Sequence, residues 1–132
     1  MKTRTPKIPG PDHPITIEPA GTRVVVRVRD VVVADTTEAL TLREAGYPPV
    51  QYIPMRDVDQ SLLRASATSS YCPYKGDATY FSVTTPDGLI ADAIWAYEQP
   101  YPAVAEIAGR VAFYPDRVDI TVVGDAEPGP AR

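Results

Sequence analysis

Val24-Val25-Val26-Arg27-Val28-Arg29-Asp30-Val31-Val32-Val33-Ala34 decides the fold class of this 132-residue chain. Two valine runs flank the two-residue break Arg29-Asp30. β-Branched side chains pack well on a pleated surface and lose rotamer freedom in a helix. The stretch therefore reads as a β-hairpin, although Arg-Asp lacks the glycine that tight hairpin turns favour. Composition extends the reading to the whole chain. Tyrosine (8) far outnumbers phenylalanine (2), and the 15 prolines argue against long helices.

Outward from the hairpin, further strands follow from alternation and from turn residues. Ile15-Thr16-Ile17 precedes it as a short strand. After it, Leu40 and Leu42 share one strand face with Thr41 and Arg43 opposite. Asp35 and Glu38 stand at capping-box spacing, so a helix competes there, and we read the segment from Thr37 to Glu44 as a strand. Gly46-Tyr47-Pro48-Pro49 stops it, because a residue before proline is pushed out of the helical region. Val50-Gln51-Tyr52-Ile53, Ser61 to Ala65, Thr79 to Thr84 and Leu89 to Trp95 are the next strands. Thr85-Pro86-Asp87-Gly88 is the clearest turn, closing a hairpin with a bulge at Gly88.

One segment reads as a helix. Pro102 stands at a plausible first position and Gly109 just past the end, with Val104, Ile107 and Ala108 as the apolar stripe. A last hairpin is expected from Val111-Ala112-Phe113-Tyr114, a turn at Pro115-Asp116, and Arg117 to Val122. These patterns predict a mainly β fold: one small antiparallel sandwich or open barrel, with one short helix near 102–108. Residues 1–14 read as an extended arm, 15–123 as a single β domain and 124–132 as a disordered tail.

Composition also excludes functions. A formal net charge of −4, with no dense Lys/Arg cluster, argues against nucleic acid as a partner. One cysteine and one histidine rule out a disulfide and make a structural metal site improbable. No apolar run reaches the length of a membrane span, and no h-region follows the basic residues Lys2, Arg4 and Lys7. We expect a cytoplasmic domain with no metal and no cofactor.

The chemistry concentrates in Ser70-Tyr71-Cys72-Pro73-Tyr74-Lys75-Gly76-Asp77-Ala78-Thr79-Tyr80. An ammonium near a thiol lowers the thiol pKa, and Gly76 lets the backbone approach a ligand. Cys72 is then a candidate nucleophile, with Lys75 its charge partner or an anion anchor, and His13 or Glu44 a base. The bland alternative makes Cys72 a small buried hydrophobe, and His13 an exposed arm residue. Tyr47, Tyr52, Tyr74, Tyr80, Tyr97 and Tyr114, with Trp95, suit a pocket that is part apolar and part hydrogen-bonding. Singly, each tyrosine also reads as a core residue with a wet hydroxyl. Arg117 is a candidate for a ligand carboxylate or for a structural ion pair. Asp57-Val58-Asp59 would place two carboxylates on one strand face, the geometry for holding magnesium, but we read the pair in preference as solvated turn acids.

Taken together, several motifs resemble the family catalogued as domain of unknown function 427, sometimes labelled a nucleotidyltransferase-like domain. They are His13-Pro14, Glu44-Ala45-Gly46-Tyr47-Pro48-Pro49-Val50, Tyr52-Ile53-Pro54 and Cys72 to Tyr80. Trp95-Ala96-Tyr97, Ile107-Ala108-Gly109 and Val111 to Val118 complete the set. The resemblance runs from about His13 to Val122 and brings no established substrate. Related chains often carry Tyr-Trp where this one has Tyr80-Phe81, so an indole donor is missing at that strand.

Two functional readings from different classes remain. One is a small-ligand domain, open to an enzymatic role, whose pocket gathers Cys72, Lys75 and the tyrosines. The other is a non-catalytic interaction or scaffold domain in which the same residues lock the fold. Nucleotidyl transfer, which the family label suggests, is a third and weaker reading. Ligand identity and oligomeric state are left open.

Overall fold

In a computed structural model, residues 5–123 are described. Ten strands run in chain order as β1 (Ile15–Pro19), β2 (Arg23–Val28), β3 (Val31–Thr36), β4 (Leu40–Glu44), β5 (Val50–Pro54), β6 (Leu63–Cys72), β7 (Gly76–Thr85), β8 (Gly88–Ala96), β9 (Arg110–Phe113) and β10 (Asp119–Val123). They form a seven-stranded sheet in the order β1-β4-β5-β9-β8-β7-β6 and a three-stranded sheet in the order β10-β2-β3. Every pairing is antiparallel. Among the described residues strand accounts for 57% and helix for 10%, in two antiparallel sheets with no closed barrel, so the expected mainly β antiparallel fold holds.

Alternation splits the apolar residues between two cores. The first lies between the sheets, where Val24, Val26, Val28 and Val33 meet Ile53, Val83, Ile94, Val111 and Phe113. The second lies on the other face of the large sheet and gathers Leu42, Tyr52, Ala78, Tyr97 and Ala112 under Val104 and Ile107. Ile53 and Tyr52, or Phe113 and Ala112, therefore serve opposite faces as neighbours on a strand must. A large sheet with a core on each face cannot show clean polar alternation, which explains its mixed strands.

The β2–β3 hairpin forms as read, with Arg29 itself taking the left-handed conformation (φ 55°) that a glycine would have supplied. At the 85–88 turn, Thr85 faces Gly88 directly, so two residues close the hairpin; the bulge lies further along, between Phe81 and Val83. Where a capping box competed at Asp35 and Glu38, the Glu38 N–H instead donates to Thr36 Oγ1 (2.9 Å), and the chain continues into β4.

The expected short helix is present, and two other expectations are corrected. The segment at 102–108 is a 3-10 helix over Pro102–Ile107, broken where Val104 adopts φ −127° and ψ 30°. Ser61 to Ala65 is only the start of a strand: 3-10 turns occupy Met55–Asp57 and Gln60–Leu62, and β6 then runs for ten residues. Val111–Tyr114 and Arg117–Val122 do not form a hairpin. β9 pairs with β5 and β8, whereas β10 crosses to the other sheet and pairs with β2. The tail at 124–132 and residues 1–4 of the arm lie outside the described residues. The rest of the arm docks against the β6–β7 turn, the Lys7 N–H donating to the Pro73 carbonyl at 2.9 Å. Among the described residues, no helix is long and apolar enough to cross a membrane.

Candidate functional site

Three residues, Pro73 to Lys75, close β6 onto β7 between the facing pair Cys72 and Gly76, and the Lys75 N–H donates to the Cys72 carbonyl at 3.2 Å. Gly76 leaves this turn at φ 111°, a conformation that L side chains rarely adopt. A Cβ there would meet Gln99 O at 3.5 Å, an ordinary contact, so the backbone angle rather than space calls for glycine. The Tyr101 N–H holds the Lys75 carbonyl at 3.0 Å, which fixes the loop after β8 across the turn. Lys75 is thereby held inward, only 7% exposed.

Lys75 Nζ donates to Glu44 Oε1, at the last residue of β4. The second carboxylate oxygen, Glu44 Oε2, bonds His13 Nε2 at 2.7 Å. The arm brings His13 there: its ring stacks on Tyr74 with centroids 4.0 Å apart and planes within 6°, and Pro14 O accepts from the Ala45 N–H at 2.8 Å. Burial is the largest single influence on Glu44 and pushes its pKa up. The hydrogen bonds and charges of Lys75 and His13 together outweigh it, so the carboxyl ends below its ordinary 4.5.

Beside this cluster the large sheet carries an aromatic wall. Trp95 on β8 lies opposite Tyr80 on β7 and opposite Ala112 on β9. The small Ala112 leaves room for Tyr52 to approach Trp95 edge-on, and the indole N–H donates to Tyr52 Oη at 3.2 Å. Tyr114 lies against Trp95, centroids 4.4 Å apart, and its hydroxyl donates to Tyr80 Oη at 3.5 Å. Tyr97 presents its ring 5.9 Å from Lys75 Nζ. Burial pushes the phenols of Tyr52, Tyr97 and Tyr114 well above their ordinary range, so all three stay neutral donors or acceptors.

Wall and ion pair face one cavity of about 820 Å³. Of the residues singled out from the sequence, Glu44, Lys75, Tyr47, Tyr52, Tyr80, Trp95, Tyr97 and Tyr114 line it. His13 and Tyr74 stand behind Glu44 and position it. Cys72 is half-buried and packs against the second core; it is not on the cavity wall. Gly76 shapes the turn from outside the cavity, and Arg117 lines a separate cleft near Arg27 and Asp119. Leu42, Gln51, Ile120 and Val122 also line the cavity and were not anticipated. Gln51 carried a signal, since it lies between the quoted motifs ending at Val50 and starting at Tyr52. Ile120 and Val122 carried none, because only the crossover of β10 brings them there.

The paired acids of Asp57-Val58-Asp59 have separate structural tasks. Asp57 Oδ2 accepts from Thr36 Oγ1 at 2.6 Å, and Asp59 Oδ1 accepts from the N–H and hydroxyl of Ser61 at 3.2 and 2.6 Å. Among the described residues, no three His, Cys, Asp or Glu side chains group to hold a metal ion.

A search among curated proteins finds no match. A family described as Domain of unknown function (DUF427) matches residues 16–124, which takes in β1 but for Ile15, all of β2 to β10 and every wall residue named above. With most of its length covered, the chain belongs to the DUF427 family.

Proposed function

We propose that this protein is a small-molecule-binding domain whose site is the cavity between the aromatic wall and the Lys75–Glu44 pair. The observation that carries this reading is a largely buried ion pair, Lys75 buried and Glu44 half-buried, set in the wall of a mostly apolar cavity of about 820 Å³. That volume lies in the range of small-ligand sites, and such sites combine apolar walls with few convergent polar groups. Ion pairs seldom stabilise a fold more than apolar residues of like volume would, so a buried pair on a cavity wall fits a recognition role.

The test is a thermal-shift screen of small molecules, with native mass spectrometry of the purified protein for a co-purified adduct. Val122, at 49% exposure, lines the cavity away from the core clusters, and Val122→Trp is expected to obstruct it while leaving the fold intact. A ligand present at a hundred times its Kd raises stability by about 2.7 kcal/mol, a readily measured shift. Binding that Val122→Trp abolishes supports the reading. An absence of hits and adducts, or hits indifferent to Val122→Trp, defeats it.

A further inference from the structure

The polar groups of the cavity are unequally occupied. Both oxygens of Glu44 have partners, Lys75 on one and His13 on the other. Lys75 has three N–H donors, and Glu44 is its hydrogen-bond partner among the described residues. The ammonium lines the cavity, with the Tyr97 ring 5.9 Å away. The vacant capacity at this end is therefore for an acceptor on the ligand. Its charge is already offset by Glu44. A carboxylate or phosphate entering here would be a further charge taken out of water beside an existing anion, and desolvation would be poorly compensated. A carbonyl dipole needs only the N–H. The rest of the wall offers the ring surfaces of Trp95, Tyr114 and Tyr80, against which a planar molecule stacks.

We infer that the occupant is a flat, largely apolar, neutral molecule bearing a carbonyl oxygen, and that Lys75 Nζ receives that oxygen. This rests on the small-ligand reading of the cavity. It places nucleoside polyphosphates outside the ligand class.

The sole tryptophan of the chain is Trp95, so one indole N–H signal in a proton–nitrogen correlation spectrum reports directly on the wall. Four probes of graded polarity are titrated: methyl naphthyl ketone, ethylnaphthalene, naphthoate and ATP. The ketone is expected to move the indole signal and to bind about tenfold more tightly than ethylnaphthalene or naphthoate, the scale of one hydrogen bond to a charged donor. ATP leaves the signal in place. In Lys75→Met/Glu44→Gln, which removes both charges together, the ketone loses its advantage over ethylnaphthalene. Naphthoate binding as tightly as the ketone, or ATP moving the signal, overturns the neutral-carbonyl inference. Ketone and ethylnaphthalene binding alike removes Lys75 from recognition. In those cases the cavity still binds, whereas an indole signal unmoved by any probe defeats the small-ligand reading itself.

Discussion

Lys75 donates to Glu44 across 31 residues of sequence and ties the β6–β7 turn to the end of β4. Their side chains are 9% and 15% exposed, so neither partner can recover full hydration if the other is removed. Lys75→Met alone is expected to cost about 2–4 kcal/mol, because it removes the charge partner of a part-buried carboxylate and leaves it only the His13 contact. Lys75→Met/Glu44→Gln is expected to recover more than half of that loss. Urea denaturation of the two variants and the parent measures both.

Acid weakens the fold through Glu44. Its folded pKa lies below the ordinary 4.5, so the folded state releases the proton more readily than the unfolded chain does. The stabilisation is complete above 4.5 and disappears as the pH falls through the lower folded value. Asp35 and Asp92 are also lowered, Asp35 by Arg23 and Asp92 by the Ser66 and Thr68 hydroxyls, so the parent profile alone is not diagnostic. Subtracting the profile of Glu44→Gln isolates the term. The difference between the two is expected to shrink on acidification below 4.5.

Alkali should find the buried phenols late. Tyr52, Tyr97 and Tyr114 have pKa values raised chiefly by burial, so the fold opposes their ionisation. Their contribution to stability is complete below the ordinary tyrosine value and falls as pH rises above it. Of the eight tyrosines, these three are expected to remain protonated at about pH 11 in the folded protein. Their phenolate absorbance should arrive together with loss of the circular dichroism signal. A full phenolate signal before unfolding would contradict the buried wall.

Gly76→Ala separates backbone strain from crowding. The nearest atom to an added Cβ is 3.5 Å away, so the loss should come from φ 111° alone. About 1–2 kcal/mol is expected, the usual scale for a non-glycine residue held in a sparsely populated region. A denaturation series including Gly88→Ala, at φ 126° with nothing within 4 Å, provides the matched comparison.

Much of the strand content was legible because valine runs and proline–glycine punctuation are local signals. β2 and β3 are the clearest case. β6 was only partly legible: Ser66-Ala67-Thr68-Ser69-Ser70 is exposed save for a half-buried Ser66, so it has little apolar alternation to read. The pairing of β10 was not legible at all. Val118, Ile120 and Val122 alternate as a strand should, but alternation says nothing about which strand lies alongside. At the site, residue types gave the ingredients and long-range pairing chose among them. Lys75 was noticed for its nearness to Cys72 in sequence, yet its ammonium bonds Glu44. The tyrosines divide similarly: Tyr74 stacks on His13 behind the site, and Tyr52 on β5 and Tyr97 just past β8 reach the wall because both face the second core.

The crossover of β10 gives the cavity two lips of different origin. Tyr47, Pro48 and Pro49 precede β5 of the large sheet, whereas Ile120 and Val122 belong to the small one. The aperture therefore lies where the two sheets meet, and the valines packed between the sheets set their spacing. Trimming one of those valines, such as Val26, is expected to change the spacing of the two lips although Val26 is not on the cavity wall. The shape of the entrance is in that sense a property of the interior, and a survey confined to wall residues would overlook it.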